Sequence, residues 1–486
     1  MARLQTLPAF CFLTVLWIAV GRASGLTNEG SGFRVNVLVT NQPARAGMGS
    51  GWGEPMSLAL TENGSFLFIE RGGAVKWWDS STHTTSIAAF IPVCSIGEEG
   101  LNGLALDPGF ATNGWVYLHR SLPETLNRNG HRIGHTRVSR FSFHYGRLDT
   151  EHETTVIEME TQRDQIFHLA GALEFDDDGN LFVATGDNTM PFLCDGYSPL
   201  DERPGREAFD AQRTAANSAS LLGKILRLKP LPGGGYSIPP GNLFPPGTPK
   251  TCPEIFVMGV RNPYRMAWDR VGKRLYWGEP GPDAVLPSRQ HGPAGMDEIN
   301  QTTGPGNFGW PYFCGSNLAY PHFNFSGTNS RPPEVAMAPE NLSPNNTGIQ
   351  SLPPAQPAFL SYGHVPSKDF PMLNGPGGPT ALAGPIYRYD PQLQSPYKLP
   401  KSLDHHLFIF DWNRNWIITA PLDADERLKL GPDGKPILKR FCPEHPWKRP
   451  IDVKIGPDGC LYVIEYGSYW GGNPTAQIVR IESPGN

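Results

Sequence analysis

His168 stands directly ahead of the apolar run LAGALEF, and Asp187 lies in the TGDN turn that closes the same stretch. An imidazole titrates near working pH and can take a proton from a substrate hydroxyl. A carboxylate beside it would orient the ring and stabilise its charge. Each has a plainer reading, a structural or surface histidine and an ordinary Asx turn. Arg261 and Asn262, in GVRNPYRMAWD, run into a proline that favours extended backbone. A guanidinium held there can present its planar fork to an anion, or simply close a salt bridge. GEPGPDA at 278–284 and GMDEIN at 295–300 combine Gly/Pro bends, which leave carbonyls unpaired, with nearby carboxylates. That hard-oxygen setting suits Ca2+, while turn chemistry and the satisfaction of backbone donors by Asp297 and Glu298 explain the same residues. In DWNRNW (411–416) Arg414 sits between Trp412 and Trp416, placed either to stack on a flat conjugated ring or to snorkel from an aromatic core. Arg449, in KRPIDV, is a further cation ahead of an apolar run.

The elements that must position these residues repeat. An apolar run, a turn built on Asp, Gly or Asn, and a second apolar run recur at 57–70, 103–121, 172–188, 266–281, 405–423 and 452–468. Period-two alternation favours half-buried strands, and NG or DG tolerates the positive φ of a tight turn. A hairpin cannot bury its own apolar face, so tandem copies pack around a common axis. Six copies predict an all-β fold, a six-bladed β-propeller with long inserted loops.

The chain has 486 residues, 39% of them hydrophobic, enough for a sizeable core. Aromatics reach 11% and are spread throughout, which excludes a disordered chain. A net charge of −5 without a basic stripe points away from nucleic acid and from an anionic membrane surface. Arg3, the apolar stretch 7–20 and the small residues 23–25 read as a secretory signal over 1–25, leaving residues 26–486 as one propeller domain with no later membrane span. A secreted, periplasmic or extracellular location follows. Six cysteines remain beyond the signal (Cys94, Cys194, Cys252, Cys314, Cys442 and Cys460), an even count that suits up to three disulfides. Asn63, Asn300, Asn324, Asn341 and Asn345 head N-x-S/T sequons, which are glycosylation sites if the source is a eukaryote. The segment 312–383 is the longest insertion; its interleaved aromatics favour an ordered lid or rim.

The phrases GEEGLNGLALDPGFATNGWVY, FHLAGALEFDDDGNLFVATGD, LLGKILRL, GVRNPYRMAWD, GPDA with DEIN and GNFGWP, and RPIDVKIGPDGCLYV occur in this order between about 55 and 482. Together they resemble the glucose/sorbosone dehydrogenase family, soluble six-bladed quinoproteins that bind pyrroloquinoline quinone (PQQ) and Ca2+. The resemblance implies that His168 is the general base, removing the proton of a sugar's anomeric hydroxyl as hydride passes to the quinone, and that Asp187 supports it. It implies that Arg261 and Asn262 contact the quinone, with Arg261 stabilising charge on the reduced ring, and that the carbonyls of Gly281 and Pro282 hold Ca2+. It also implies quinone contacts at Asn413, Arg414 and Arg449. Asn413-Arg414 stands where the family has a Lys-containing motif, and Ile451 where it has the second Arg of RxRD. The partners implied are a sugar and an external electron acceptor. A secreted binding propeller without enzymatic activity is the alternative, and a Ca2+-dependent hydrolase or lactonase is disfavoured by the arginines, which repel a metal.

Overall fold

A computed structural model describes residues 32–41, 53–191, 194–325, 330–469, 471–472 and 474–483. The expected signal at 1–25 lies outside these residues. Among the described residues six large sheets built on antiparallel strands follow one another along the chain, beside one small two-stranded sheet. Blade 1 comprises Pro55–Leu60, Phe66–Glu70, Ala74–Asp79 and Thr84–Phe90, and blade 2 comprises Leu101–Leu106, Trp115–Ser121, His131–His144 and Arg147–Gln162. Blade 3 is built on Leu173–Phe175, Leu181–Thr185, Lys224–Pro230 and Ile255–Met258, and blade 4 on Arg265–Asp269, Arg274–Glu279, Met296–Thr302 and Leu360–Gly363. Blade 5 contains Ala381–Tyr387, His406–Asp411, Trp416–Pro421 and Lys439–Arg440. Blade 6 takes Pro450–Ile455, Leu461–Glu465 and Gln477–Glu482 from the end of the chain and Arg34–Thr40 from its beginning. The first strand of each blade touches the first strand of the next, and blade 6 returns to blade 1. The fold is a six-bladed β-propeller with almost no helix.

The turn chemistry is shared. At 61–65, 176–180 and 456–460 the N–H of the first residue donates to the carbonyl four residues on, at 2.9, 3.0 and 2.9 Å. Gly64, Gly179 and Gly459 take the left-handed position in these turns, with φ of 80°, 71° and 74°. The second strands FLFIE, LFVAT and LYVIE are buried at every residue. They do not alternate, because a blade packed between two neighbours has no solvent face. Apolar clusters accordingly lie between blades, such as Phe182, Ile225 and Val257 of blade 3 against Met266, Leu275 and Trp277 of blade 4.

Two expectations shift. The phrase at 405–423 is the second and third strands of blade 5; the innermost strand is Ala381–Tyr387. The stretch 312–383 includes the outer strand of blade 4, Leu360–Gly363, and the start of blade 5. The expected disulfides are not formed: no two of the six cysteines are joined. They serve separate contacts instead, Cys94 Sγ on Glu99 Oε2 (2.6 Å), Cys314 with the Tyr320 hydroxyl (3.2 Å) and Cys460 on the Tyr397 carbonyl (3.2 Å). Among the described residues no helix is long and apolar enough to cross a membrane.

Candidate active site

His168 begins a bend into the innermost strand of blade 3 in which His168, Ala170 and Gly171 all have positive φ (56°, 49° and 115°). The bend is held from three sides. Glu98 Oε2 accepts the His168 N–H at 2.8 Å, Asn262 Oδ1 accepts the Ala170 N–H at 2.9 Å, and the His168 carbonyl accepts the Asn188 N–H at 3.1 Å. Gly186 makes the last contact possible, since a Cβ there would lie 2.0 Å from the His168 carbonyl oxygen. The TGDN turn thereby brings Asp187 Oδ1 to 2.7 Å from His168 Nδ1.

Asp187 is fully buried. Burial alone would raise its carboxyl pKa, but His168, Arg261 and the Trp310 indole outweigh it and hold the group below the usual carboxylate range. An ionised carboxylate only accepts, so it is Nδ1 of His168 that donates in this hydrogen bond. Trp310 Nε1 donates to the other oxygen at 2.7 Å, and the Arg261 carbonyl accepts the Asp187 N–H at 2.8 Å.

Arg261 and Asn262 are fixed by a carboxylate at the end of the second strand of blade 4. Glu279 Oε2 accepts the Arg261 N–H (2.5 Å) and the Asn262 N–H (3.4 Å), while Oε1 accepts from Trp277 Nε1 (3.1 Å) and Asn300 Nδ2 (3.2 Å). Burial pushes Glu279 up to about 7 and, with Glu279 beside it, Glu298 up to about 8. The Arg261 guanidinium donates to the Pro280 carbonyl at 3.0 Å and lies 5.7 Å from the centre of the Trp310 ring.

These groups open onto a cavity of about 370 Å3 at one mouth of the propeller axis, lined by His168, Arg261 and Asn262 together with Glu98, Arg71 and the aromatic residues Tyr264, Trp412 and Tyr466. A larger cavity, about 630 Å3, occupies the opposite mouth among the hairpin turns of blades 1 and 2. Size favours the second and chemistry the first: the larger one has no histidine and its Lys454 is paired with Glu174 at 3.3 Å. A polar site is defined by convergent reactive groups, so the smaller cavity is the candidate.

The other predicted residues are less gathered. Gly281 lines the cavity and its N–H donates to Asp297 Oδ1 at 3.0 Å. The Asp297 carboxyl is pushed up to about 8, by burial and then by Asp411. The Pro282 carbonyl lies 3.2 Å from His364 Nε2. Among the described residues no three His, Cys, Asp or Glu converge on a metal position, so any Ca2+ here depends on these backbone carbonyls and on oxygens brought by a ligand. Asn413 Nδ2 donates to the Gly378 carbonyl (2.9 Å), next to the Pro379 and Thr380 wall. Arg414 lies outside the cavity, its guanidinium donating to the carbonyls of Leu373 (2.8 Å), Gly363 (2.9 Å) and His364 (3.2 Å). Arg449 backs the wall, 4.5 Å from the centre of the Trp412 ring, and its Nη1 is buried with no partner among the described residues. Ile451 contributes apolar surface to the cavity.

Several residues of this site escaped the sequence reading, among them Arg71, Glu98, Tyr264, Trp310 and Tyr466. Glu98 had a visible signal, a carboxylate among glycines in GEEGLNG; Trp310 had none, because its role is a contact with a residue 123 positions away, and Glu279, although inside the GEPGPDA phrase, gave no sign of its hold on Arg261, 18 positions away.

A model of the glucose/sorbosone dehydrogenase family matches residues 52–373. The aldose sugar dehydrogenase YliI of Escherichia coli (strain K12) is 27% identical over 417 residues, 84% of this chain and 86% of that protein. The crystal structure of the soluble aldose sugar dehydrogenase from Escherichia coli in its apo form matches with a TM-score of 0.59 at 21% identity, over 93% of this chain and 99% of that one. The PQQ-bound form of the aldose sugar dehydrogenase from Streptomyces coelicolor matches with a TM-score of 0.56 at 19% identity, over 93% and 98%. At these identities the structural likeness is one of fold. The family match, by contrast, spans well over half of the 486 residues, and the chain belongs to the glucose/sorbosone dehydrogenase family of enzymes.

Proposed function

We propose that this protein is a secreted or periplasmic quinoprotein that oxidises an aldose or related sugar with PQQ, assisted by Ca2+, and passes the electrons to an external acceptor. The observation that carries this reading is the His168–Asp187 pair opening onto the same cavity as Arg261 and Asn262. The aromatic rings of Tyr264 and Trp412 and the Arg261 guanidinium, all lining the cavity, suit a planar, polyanionic ligand. Asn262 and Asn413 would border it. When bound, PQQ would accept the hydride that leaves the sugar's anomeric carbon, and Ca2+ on the Gly281 and Pro282 carbonyls would hold it in position.

The chain's own residues would then do the following. Nε2 of His168 takes the proton of the anomeric hydroxyl. Asp187 fixes the tautomer and stabilises the imidazolium that forms, its charge maintained by the Trp310 indole. Arg261, pinned through its N–H to Glu279, presents a fixed cation to developing negative charge. The experiment is a titration of purified protein with PQQ in the presence of Ca2+ and then of chelator, read by quenching of tryptophan fluorescence. Saturable, Ca2+-dependent quenching is expected.

The second reading is a secreted binding propeller. Two observations favour it: Arg414 is committed to backbone carbonyls away from the cavity, and Ile451 puts an apolar side chain where the family resemblance calls for a cation. Absence of quenching at any PQQ concentration would select it.

A further inference from the structure

Five sequons are present, and the structure gives them different environments. Asn300 and Asn341 are fully buried. Asn300 Nδ2 donates to Glu279 Oε1 (3.2 Å) and Glu298 Oε2 (3.0 Å), and Asn341 Nδ2 to the carbonyls of Gln212 (2.8 Å) and Ala216 (3.0 Å). Asn345 Nδ2 donates to the buried Asp210 carboxylate at 2.9 Å. A sugar replaces one of the two amide hydrogens, so at Asn300 and Asn341 one buried acceptor would lose its donor and bulk would be inserted into the fold. Asn324 is exposed, but its Ser326 lies outside the described residues.

Asn63 differs in both respects. It is exposed at the tip of the first hairpin, and its Oδ1 is turned inward, accepting from Thr61 Oγ1 (2.6 Å) and the Ser65 N–H (3.1 Å). That leaves Nδ2 outward with no protein acceptor among the described residues. The tip belongs to the rim of the mouth opposite His168. We propose that Asn63 is an N-glycosylation site and that Asn300 and Asn341 are structural asparagines left unmodified in the folded protein.

The chemistry is a glycosyl transfer. The Asn63 amide nitrogen bonds to C1 of the first sugar of a polyprenyl-diphosphate-linked oligosaccharide; the C1–O bond to the diphosphate breaks, the diphosphate leaves with the electron pair, and one amide proton passes to the transferase. Because the transfer precedes folding, chains modified at Asn300 or Asn341 cannot complete the fold and are lost from the secreted pool. The glycan on Asn63 shields the mouth opposite His168 and leaves the His168 cavity open.

The test, which rests on the secreted reading proposed above, is expression of residues 1–486 in cultured animal cells, followed by glycosidase release in heavy-oxygen water and peptide mass spectrometry. Label at Asn63 and none at Asn300 or Asn341 in secreted protein is the expected result. N63Q should lose one glycan's gel shift. An unmodified Asn63, in secreted or retained chains, overturns the proposal, as does label at Asn300 or Asn341 in the secreted fraction.

Discussion

At the scale of single residues, the site is a set of hydrogen bonds whose donors and acceptors leave little choice. Asp187 accepts from His168 and Trp310 at once, so replacing it by asparagine introduces a donor facing one of two donors. D187N is expected to lower the rate constant for sugar oxidation by about 10²- to 10⁴-fold, the usual worth of a positioned base, while PQQ-induced quenching persists. Lys224 is a second instance. Its ammonium, fully buried, donates to the carbonyls of Thr214, Ala215 and Leu222 at 2.7, 3.0 and 2.8 Å, and the Thr214 hydroxyl in turn donates to the Asp187 carbonyl at 2.7 Å. K224M strands three buried acceptors, so an unfolding titration in urea should show a loss of about 3 kcal/mol or more. His168, Asp187, Arg261 and Asn262 were legible because each stands in a compact phrase with turn or proline context. Trp310 was not, because an indole that serves a carboxylate 123 residues away looks in sequence like any core aromatic.

At the scale of elements, the second strand of blade 2 carries a histidine with no hydrogen-bond partner among the described residues. His119 is buried with both ring nitrogens unsatisfied by any of them, and burial lowers its pKa from 6.5 to about 4. Below pH 6.5 the unfolded chain takes a proton that the folded chain refuses until about pH 4, so this residue's contribution falls as pH drops through that window. The integrated effect is about 3 kcal/mol at the acid end. Urea midpoints of wild type and H119F measured at pH 7 and pH 4.5 should diverge, with the wild type losing more stability on acidification. A variant that tracks the wild type would show that the imidazole is not the group responsible. Five of the six hairpins were legible because a connection rich in Asp, Gly or Asn joins their strands, short in four and, in blade 2, residues 107–114 with one helical turn. The fifth was displaced by one strand because its innermost strand, Ala381–Tyr387, reaches the next, His406–Asp411, only through a long connection and not a short hairpin turn.

At the scale of the whole molecule, the ring is closed by pairing Arg34–Thr40 with Gln477–Glu482, an antiparallel contact between the two ends of the chain. Nothing local in either segment announces this, because the partner is supplied by the closure of the ring. Deleting residues through Thr40 leaves the edge of Gln477–Glu482 unpaired, and the truncated protein should melt at lower temperature and associate through that edge, as read by calorimetry and light scattering. The ring also explains why His168, Glu98, Arg261 and Trp412, from different blades, meet at one mouth: each lies in or beside a connection at the same end of its blade. The central claim is that this mouth oxidises sugars with His168 as the base. Its most direct test is aldose-dependent dye reduction by wild type and H168A, each reconstituted with PQQ and Ca2+ and matched for bound quinone. Sugar-dependent reduction in the wild type that falls by about 10²-fold or more in H168A is the predicted result; equal rates in the two proteins, or no sugar-dependent reduction by quinone-loaded wild type, would contradict it.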